Sequence, residues 1–229
     1  MEFQSRAANG GTWDPVHCSC MCPYLQVCDP PLHADNTKCC CADGGGSCQD
    51  SPILIDLNGD GFALTDGSHG VYFDLNADGT KEHLAWTSSS DDAFLVLDRN
   101  GNGIIDNGTE MFGNITEQLP PPAGSGRNGF NALALYDKAI YGGNENGAID
   151  RGDSVFNSLR LWQDTNHNGI SEAGELQTLS ELGLKMVDLD YKKSKRTDQY
   201  GNQFRYRAKV KDTHDAQLGR WAWDVFLVH

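Results

Sequence analysis

The sequence predicts an α+β fold, in which short helices and small antiparallel β-sheets surround EF-hand-like loops, with a cysteine-rich irregular segment at the N-terminus. Five short acidic stretches that contain glycine lie between Asp56 and Glu175. From Met186 onwards, apolar and polar residues alternate as they do in half-buried strands. Apolar residues recur at helical spacing in residues 130–136, 155–162 and 176–184. Residues 93–97 fit either a strand or the helix that enters a loop.

The fifth acidic stretch, Asp164 to Glu175, matches the twelve-residue EF-hand loop at every side-chain position. Such a loop surrounds a Ca²⁺ ion with oxygen ligands from side chains and one backbone carbonyl, and a glycine at position six gives the sharp turn. The ligands expected here are Asp164, Asn166, Asn168, the Ile170 carbonyl, Glu172 through a water molecule, and Glu175.

The third and fourth stretches each depart from this pattern at one position. In the third, position twelve is Thr109 and the acid comes one residue later, so either the loop is stretched by one residue or Asp106 compensates. Its expected ligands are Asp98, Asn100, Asn102, the Ile104 carbonyl, Asp106 and Glu110. In the fourth, position one falls on Gly142, so the first carboxylate is missing. Its expected ligands are Asn144, Asn146, the Ala148 carbonyl, Asp150 and Asp153.

The first and second stretches contain only the front half of the loop pattern. Gly67 and Ala85 stand where the closing acids should be. The expected ligands are Asp56, Asn58 and Asp60 in the first loop, and Asp74, Asn76, Asp78, Thr80 and Glu82 in the second. An alternative stays open, because Asn-Gly and Asp-Gly pairs also form tight hairpin turns that need no metal.

Calcium fits these loops better than magnesium, which requires near-octahedral geometry and keeps its waters. Asparagine replaces aspartate at several ligand positions, which lowers the ligand charge and indicates affinity in the range of roughly 10⁻⁴ to 10⁻³ M. A site of this strength is filled permanently outside cells. We therefore expect several structural Ca²⁺ ions, and we expect folding of residues 51–190 to depend on them.

Composition and charge exclude some classes of partner. The formal net charge of −14 argues against nucleic acid and anionic membranes, because phosphate binding needs clustered Lys and Arg. The sequence contains no apolar run long enough for a transmembrane segment, and its first twenty residues lack the apolar core of a signal peptide. Neither Gly-x-Ser-x-Gly, P-loop nor His-Glu-x-x-His motifs occur, so ordinary enzyme classes lack support.

All eight cysteines lie between Cys18 and Cys48, and a glycine-rich linker occupies residues 44–47. An even number of crowded cysteines is typical of a disulfide-stapled knot in an exported protein, although the pairing cannot be deduced from sequence. Zinc or copper bound by cysteines with His17 or His33 is the less favoured alternative. We divide the chain into a cysteine-rich head with its linker (1–50), a calcium-binding module (51–190) and a C-terminal antiparallel β-hairpin packed on that module (191–229).

About three fifths of the chain resembles the calcium-dependent self-processing module of iron-regulated RTX proteins from Gram-negative bacteria, and related bacterial EF-hand-like proteins. The resemblance lies in three segments: PILIDLNGDG (52–61), DAFLVLDRNGNGIIDNGTEMFG (92–113) and LWQDTNHNGISEAGEL (161–176). In that family the module begins at an Asp-Pro bond, which breaks when calcium folds the module. The resemblance implies that the aspartyl carboxylate attacks its own carbonyl and that the freed group can join a lysine.

This chain has Ser51-Pro52 where the family has Asp-Pro, and Asp50 is one residue too early. We therefore expect no enzyme activity of this kind, and we interpret Asp14-Pro15 and Asp29-Pro30 as turn dipeptides. The function we expect is that of a secreted or cell-surface protein in which Ca²⁺ is structural and supports binding or assembly. Its partner is an unknown protein, a cell-surface component or a second copy of the chain. Two alternatives stay open: a self-cleaving, protein-ligating module, and a self-assembling structural subunit of a filament or surface layer.

Overall fold

The structure, a computed structural model, describes residues 50–88, 91–123, 125–213 and 221–229, and four short strands before them. In the N-terminal segment, β1 (Thr12–Asp14) pairs with β2 (Ser19–Met21), and β3 (His33–Asp35) pairs with β4 (Cys40–Ala42). The predictions of disulfides or of a zinc or copper site concern cysteine side chains outside the described residues, and so does the linker at residues 44–47.

Nine of the described strands form one antiparallel sheet, in the order β11-β10-β8-β5-β15-β14-β12-β9, and β13 also pairs with β14. The remaining two strands, β6 and β7, form a separate hairpin. The strands of the large sheet and of this hairpin have the following bounds: β5 Ile53–Asp56, β6 Val71–Phe73, β7 Glu82–Leu84, β8 Asp92–Val96, β9 Ala148–Ile149, β10 Arg160–Trp162, β11 Leu176–Thr178, β12 Leu184–Asp188, β13 Lys192–Thr197, β14 Gln203–Asp212 and β15 Trp221–Phe226.

The predicted α+β fold is wrong, because the described residues are almost entirely β. Their single α-helix, α1, spans Gly129–Leu133, and three short 3-10 helices lie at Gly67–His69, Gly108–Glu110 and Ala139–Tyr141. Of the three helices expected from apolar spacing, only the first is present, as the five residues of α1. Residues 155–162 form turns followed by β10, and residues 176–184 hold β11, a turn and the start of β12.

Burial on both faces of the sheet explains this error. Ile53 and Ile55 of β5 pack in one core, together with α1, and Leu54 between them packs in the other core, under the β6–β7 hairpin. In β10, Leu161 and Trp162 likewise point into opposite cores. A strand that is apolar on both faces shows no alternation, and a short apolar run of this kind cannot be told from a buried helix by its spacing.

The C-terminal alternation does produce strands, but they lie inside the large sheet and do not form a small separate one. β15 pairs on one side with β14 and on the other with β5, where Trp223 lies opposite Leu54. The first strand after the predicted linker therefore pairs with the last strand of the chain. No helix in the described residues is long and apolar enough to cross a membrane.

The start of β5 lies against the segment that follows the third loop. Pro52 bridges to Gly113, and a Cβ atom placed on Gly113 would lie 1.6 Å from the backbone oxygen of Ser51. We expect Gly113→Ala to lower the free energy of unfolding by about 2 kcal/mol, because the backbone must shift to admit the methyl group. Urea unfolding in excess calcium measures this change.

Gly174→Ala is the matched control for this variant, because a Cβ atom there meets nothing within 4 Å and its φ angle is not positive. Its free energy of unfolding should stay within about 0.5 kcal/mol of that of the parent protein. Equal effects of the two substitutions would contradict the close packing of Gly113 against Ser51.

Candidate metal-binding loops

Two backbone contacts recur in the acidic loops. In the first contact, the leading aspartate of the loop accepts the N–H of a loop glycine that has positive φ. The Oδ2···N distances are 2.8 Å for Asp56–Gly61, 3.0 Å for Asp74–Gly79, 2.8 Å for Asp98–Gly103 and 2.8 Å for Asp164–Gly169. In the second contact, the residue at position seven donates its N–H to the side chain at position five, as Thr80 does to Asp78, Ile104 to Asn102, Ala148 to Asn146 and Ile170 to Asn168. These bonds set the loop geometry before any ion is considered.

The fifth loop brings its predicted residues together against the aromatic core. Asp164 and Glu175 are buried, and the Trp86 indole N–H donates to Asp164 Oδ2 at 2.8 Å. Glu172 accepts the side-chain amides of Asn166 and Asn168, at 3.3 and 2.8 Å. The pKa of Glu172 is lowered mainly by the hydrogen bond from the Asn168 side chain, and next by a hydrogen bond between Glu172 and Glu175.

Glu175 closes the fifth loop from the opposite side. Its Oε1 accepts the backbone N–H of Thr165 at 2.8 Å, and its Oε2 lies 3.3 Å from the indole nitrogen of Trp162. Each of the two most buried carboxylates of this loop is thus bonded to a core tryptophan. A change in the loop is therefore transmitted directly to the sheet.

In the third loop, Glu110 performs the closing role from one residue beyond position twelve. Glu110 is 2% exposed; it accepts the N–H groups of Arg99 (3.0 Å) and Asn100 (3.3 Å) on Oε1 and that of Asp106 on Oε2 (2.8 Å). The 3-10 helix Gly108–Glu110 takes up the extra residue. Asp106 accepts the amides of Asn100 and Asn102, as Glu172 does in the fifth loop.

The fourth loop has a leading carboxylate that sequence reasoning missed. Asp137, buried and five residues before Gly142, accepts the N–H of Asn146 on Oδ1 and that of Gly147 on Oδ2, both at 3.1 Å. The 3-10 helix Ala139–Tyr141 lies between Asp137 and the rest of the loop. The first carboxylate is therefore not missing but displaced by an insertion. Only a search that allowed extra residues after position one would have found it.

The rest of the fourth loop repeats the geometry of the third. Asp153, 1% exposed, accepts the N–H of Asn144 on Oδ1 (3.1 Å) and that of Asp150 on Oδ2 (2.8 Å). Asp150 in turn accepts the side-chain amides of Asn144 and Asn146, at 3.3 and 2.9 Å. Hydrogen bonds thus connect Asn144, Asn146, Asp150 and Asp153 within this loop, and Asp137 is joined to it through Asn146 and Gly147.

The first loop is closed by two aspartates from a distant part of the chain. Single carboxylate oxygens of Asp56, Asp91 and Asp92 lie within 4.8 Å of one another. Asp92 is 1% exposed; its Oδ2 accepts the N–H of Ala63, and its Oδ1 has no hydrogen-bond partner in the described residues. Burial, then the nearby charges of Asp91, Asp56 and Asp60, raise the pKa of Asp92 to about 7. Asn58 and Asp60 lie on the exposed side of the loop.

The second loop is closed by Glu82, the first residue of β7. Oxygens of Asp74, Asp78 and Glu82 lie within 4.8 Å of one another, and Glu82 accepts the amide of Asn76 at 2.8 Å. Burial raises the pKa values of both Asp74 and Glu82. The β6–β7 hairpin therefore supplies the carboxylate that the sequence pattern lacked at position twelve.

These clusters fit a hard divalent cation on the evidence of their unsatisfied oxygens. Within the described residues, Asp92 Oδ1, Asp91 Oδ2 and Glu82 Oε2 are buried and accept no hydrogen bond. A buried carboxylate oxygen without a partner costs free energy, and two or three carboxylates within 4.8 Å repel each other. A cation between them would satisfy the free oxygens and neutralise the repulsion.

Direct hydrogen bonds connect three of the loops. The N–H of Ile105, at position eight of the third loop, donates to Ser171 Oγ at position eight of the fifth, at 2.6 Å and out of contact with solvent. The N–H of Gly108 donates to the Asp74 carbonyl of the second loop at 2.9 Å. The two ring nitrogens of His167 lie 2.7 Å from the carbonyl of Thr87 and 2.9 Å from that of His69. The second, third and fifth loops therefore form one connected layer.

The sequence profile of the SPM domain matches residues 53–227, which include every strand of the large sheet. The chain belongs to the SPM domain family. It is 43% identical over 143 residues to Iron-regulated protein FrpA of Neisseria meningitidis serogroup C. The match covers 62% of this chain and 12% of that relative, so the chain corresponds to a small part of the longer protein. The resemblance to iron-regulated proteins that the three sequence segments indicate is confirmed at the level of the family.

In metal-stripped protein, the free energy of unfolding should decrease as the pH rises. Asp92 has an ordinary pKa of 3.8 and a folded-state pKa of about 7, and burial raises that of Asp50 to about 6. An acid with a raised folded-state pKa stabilises the fold fully below its unfolded pKa, and this contribution is lost as the pH rises through the folded value. We expect the urea midpoint of metal-stripped protein to decrease between about pH 4 and pH 7.

Asp92→Asn should flatten this pH dependence in metal-stripped protein, because an amide cannot ionise. Asp190→Asn is the control, since Asp190 is exposed and far in sequence from the first loop. If the midpoint of the parent protein rose with pH over this range, the assignment of Asp92 as a buried acid near neutrality would be wrong.

Proposed function

We propose that the five loops bind Ca²⁺ and that the ions have a structural role. One observation carries this proposal: in all five loops, a leading aspartate accepts backbone N–H groups, and a second carboxylate accepts a hydrogen bond from the same loop. This holds even where the sequence lacks one of the two, because Asp137, Asp91 and Glu82 supply it from other positions. Asn-Gly turns without a metal-binding role would not be expected to bring carboxylates from other positions of the chain to the loop.

The donor set favours calcium among the divalent cations. Every candidate ligand is an oxygen, from carboxylates, amides or backbone carbonyls, which excludes the nitrogen and sulfur ligands that zinc and copper prefer. Loops with long carboxylate side chains and a backbone carbonyl adapt to the larger ion and its higher coordination number. Zinc or copper at the cysteine-rich head stays a separate prediction.

A structural role follows from where the loops lie relative to the core. The fifth loop is bonded to Trp86 and Trp162, whose rings are 5.5 Å apart and pack with Phe94 between the sheet and the β6–β7 hairpin. Without a cation, the repelling carboxylates would pull these contacts apart. Binding of the ions and folding of the sheet should therefore be coupled.

We further propose that the protein acts outside the cell or at its surface, where millimolar calcium fills weak sites permanently. The supporting observation is the similarity to FrpA, together with the asparagine-rich ligand sets. In that setting the ions would hold a rigid scaffold for binding a partner or for assembly with further copies of the chain. Calcium-dependent change in sedimentation distinguishes assembly from binding as a monomer.

Ion counting tests the role of the loops directly. We expect Asp137→Asn and Asp164→Asn each to bind one Ca²⁺ fewer than the parent protein in native mass spectrometry, or to bind it at least about tenfold more weakly. Each substitution removes the leading carboxylate of one loop while keeping its shape. Asp190→Asn, in an exposed turn outside the loops, should bind the full number.

An unchanged ion count for Asp137→Asn would contradict its place in the fourth loop. Binding of no calcium by the parent protein at millimolar concentration would contradict the proposed function as a whole. Displacement of calcium by equimolar magnesium would show that the loops select the smaller ion.

We propose that the chain does not cleave itself at Ser51-Pro52. Ser51 is buried, its N–H donates to Asn114 Oδ1 at 2.8 Å, and Asn114 Nδ2 donates to Asp50 Oδ1 at 3.3 Å. The reaction implied by the resemblance needs a carboxylate on the residue before the proline, and a serine hydroxyl cannot form that cyclic anhydride.

The intact mass of the parent protein should therefore stay constant after calcium is added. Ser51→Asp restores the Asp-Pro pair, and we expect this variant to release a fragment that begins at Pro52. A fragment of the parent protein that begins at Pro15, Pro30 or Pro52 would overturn the proposal.

A further inference from the structure

Positive charge is concentrated in one part of this acidic protein. Nine of the 18 Lys and Arg residues lie between Lys185 and Lys211, although the formal net charge of the chain is −14. Most of these cations lie on two paired strands, and we name this set the basic edge. Its residues are Lys192, Lys193, Lys195 and Arg196 of β13, with Arg207 and Lys209 of β14.

The basic edge contains two features that lower the stability of a sheet. Lys192 of β13 lies directly opposite Arg207 of β14, where like charges destabilise a sheet, and the Lys192 ammonium is paired with the Asp190 carboxylate at 2.7 and 2.9 Å. Arg207 Nε is also buried and has no hydrogen-bond partner in the described residues. Such local conflicts occur where a protein keeps residues for a function.

Aromatic rings hold two cations of the basic edge in place. The guanidinium carbon of Arg196 lies 4.4 Å from the ring centroid of Phe204 and 5.5 Å from that of Trp223. That of Arg207 lies 4.7 Å from Trp221 and 5.3 Å from Trp223. These contacts fix the guanidinium groups before a ligand arrives, which lowers the entropy lost on binding.

The distribution of cations over the two faces of the sheet indicates the shape of the ligand. Lys192 lies opposite Arg207 on the face of the aromatic rings, whereas Lys193 lies opposite Tyr206 on the other face, with its Nζ 6.0 Å from the Tyr206 ring. A membrane or another flat surface could meet only one of these faces. An added β-strand could meet both, because its side chains alternate.

In the part of the chain that the structure describes, β13 pairs with β14 alone, so the other side of β13 is an open edge. The side chains of Lys192, Lys193, Lys195 and Arg196 are exposed there. We propose that the basic edge binds an acidic polypeptide segment in extended conformation, which pairs with β13 as a further strand. Its carboxylates would lie beside cations on both faces of the sheet, including Arg207.

Lysines at a sheet edge, and the bulge between Lys193 and Arg196, also protect a protein against self-association. Protection alone predicts that no strand binds, whereas the proposal predicts that an acidic strand does. Fluorescence anisotropy of a labelled peptide of alternating Glu and Thr, titrated with the full chain in excess calcium, separates the two. We expect saturable binding that weakens as salt is added.

A second peptide, with the same glutamates but proline in place of threonine, keeps the charge and cannot pair with a strand. We expect it to bind at least about fivefold more weakly. Lys195→Glu should weaken binding of the first peptide about fivefold, because it replaces an attraction by a repulsion. Lys138→Glu changes the charge equally at an exposed position outside the basic edge and should leave binding unchanged.

Circular dichroism checks that both variants stay folded. No saturable binding of the Glu-Thr peptide, or equal binding of the proline peptide, would overturn the proposal. So would equal effects of Lys195→Glu and Lys138→Glu. Binding of heparin or of phosphatidylglycerol vesicles without binding of the peptide would assign the basic edge to a different anion and would overturn it as well.

Discussion

Repulsion between carboxylates is the constraint on which the structure depends. Acidic groups are brought within 4.8 Å of one another beside fully buried strands, and several of their oxygens have no hydrogen-bond donor among the residues that the structure describes. On the proposed account, bound cations would offset this repulsion, and calcium would be a component of the core and not of its surface.

The sheet explains how loops so far apart can act together. β5, which leads into the first loop, lies between β8, which leads into the third, and β15, the last strand of the chain. β10, which leads into the fifth loop, follows on the other side of β8. Because β8 is antiparallel to β5 and β10, the first and fifth loops leave one end of these strands and the third loop leaves the other end. The bond between Ile105 and Ser171 joins the third loop to the fifth. Ions bound at one loop would order the strands that support the next.

The sequence alone predicts those loops whose ligands are all local. Asp164 to Glu175 needs only a contiguous pattern, and hydrogen bonds join Glu172 and Glu175 to the start of this loop. Asp137, Asp91 and Asp92 could not be predicted, because an insertion separates Asp137 from its loop and a fold-dependent contact brings Asp91 and Asp92 to theirs.

The prediction of the fold class was wrong for a related reason: strands such as β5 and β10 are buried on both faces, so their apolar residues show no period of two. The strands of residues 203–212 and 221–226 were predictable, because charged residues alternate with apolar ones along β14. Their place in the middle of the sheet was not, since it depends on pairing with β5.

Hydrogen exchange with and without metal tests the dependence of this fold on cations most directly. The backbone amides of β5, β8, β10 and β15 lie at the centre of the sheet, far from the exposed turns. If the loops need cations, these amides exchange rapidly in metal-stripped protein and become protected when millimolar calcium is added. Equal protection of the central strands in both states would contradict the account, because the sheet would then fold without any ion in its loops.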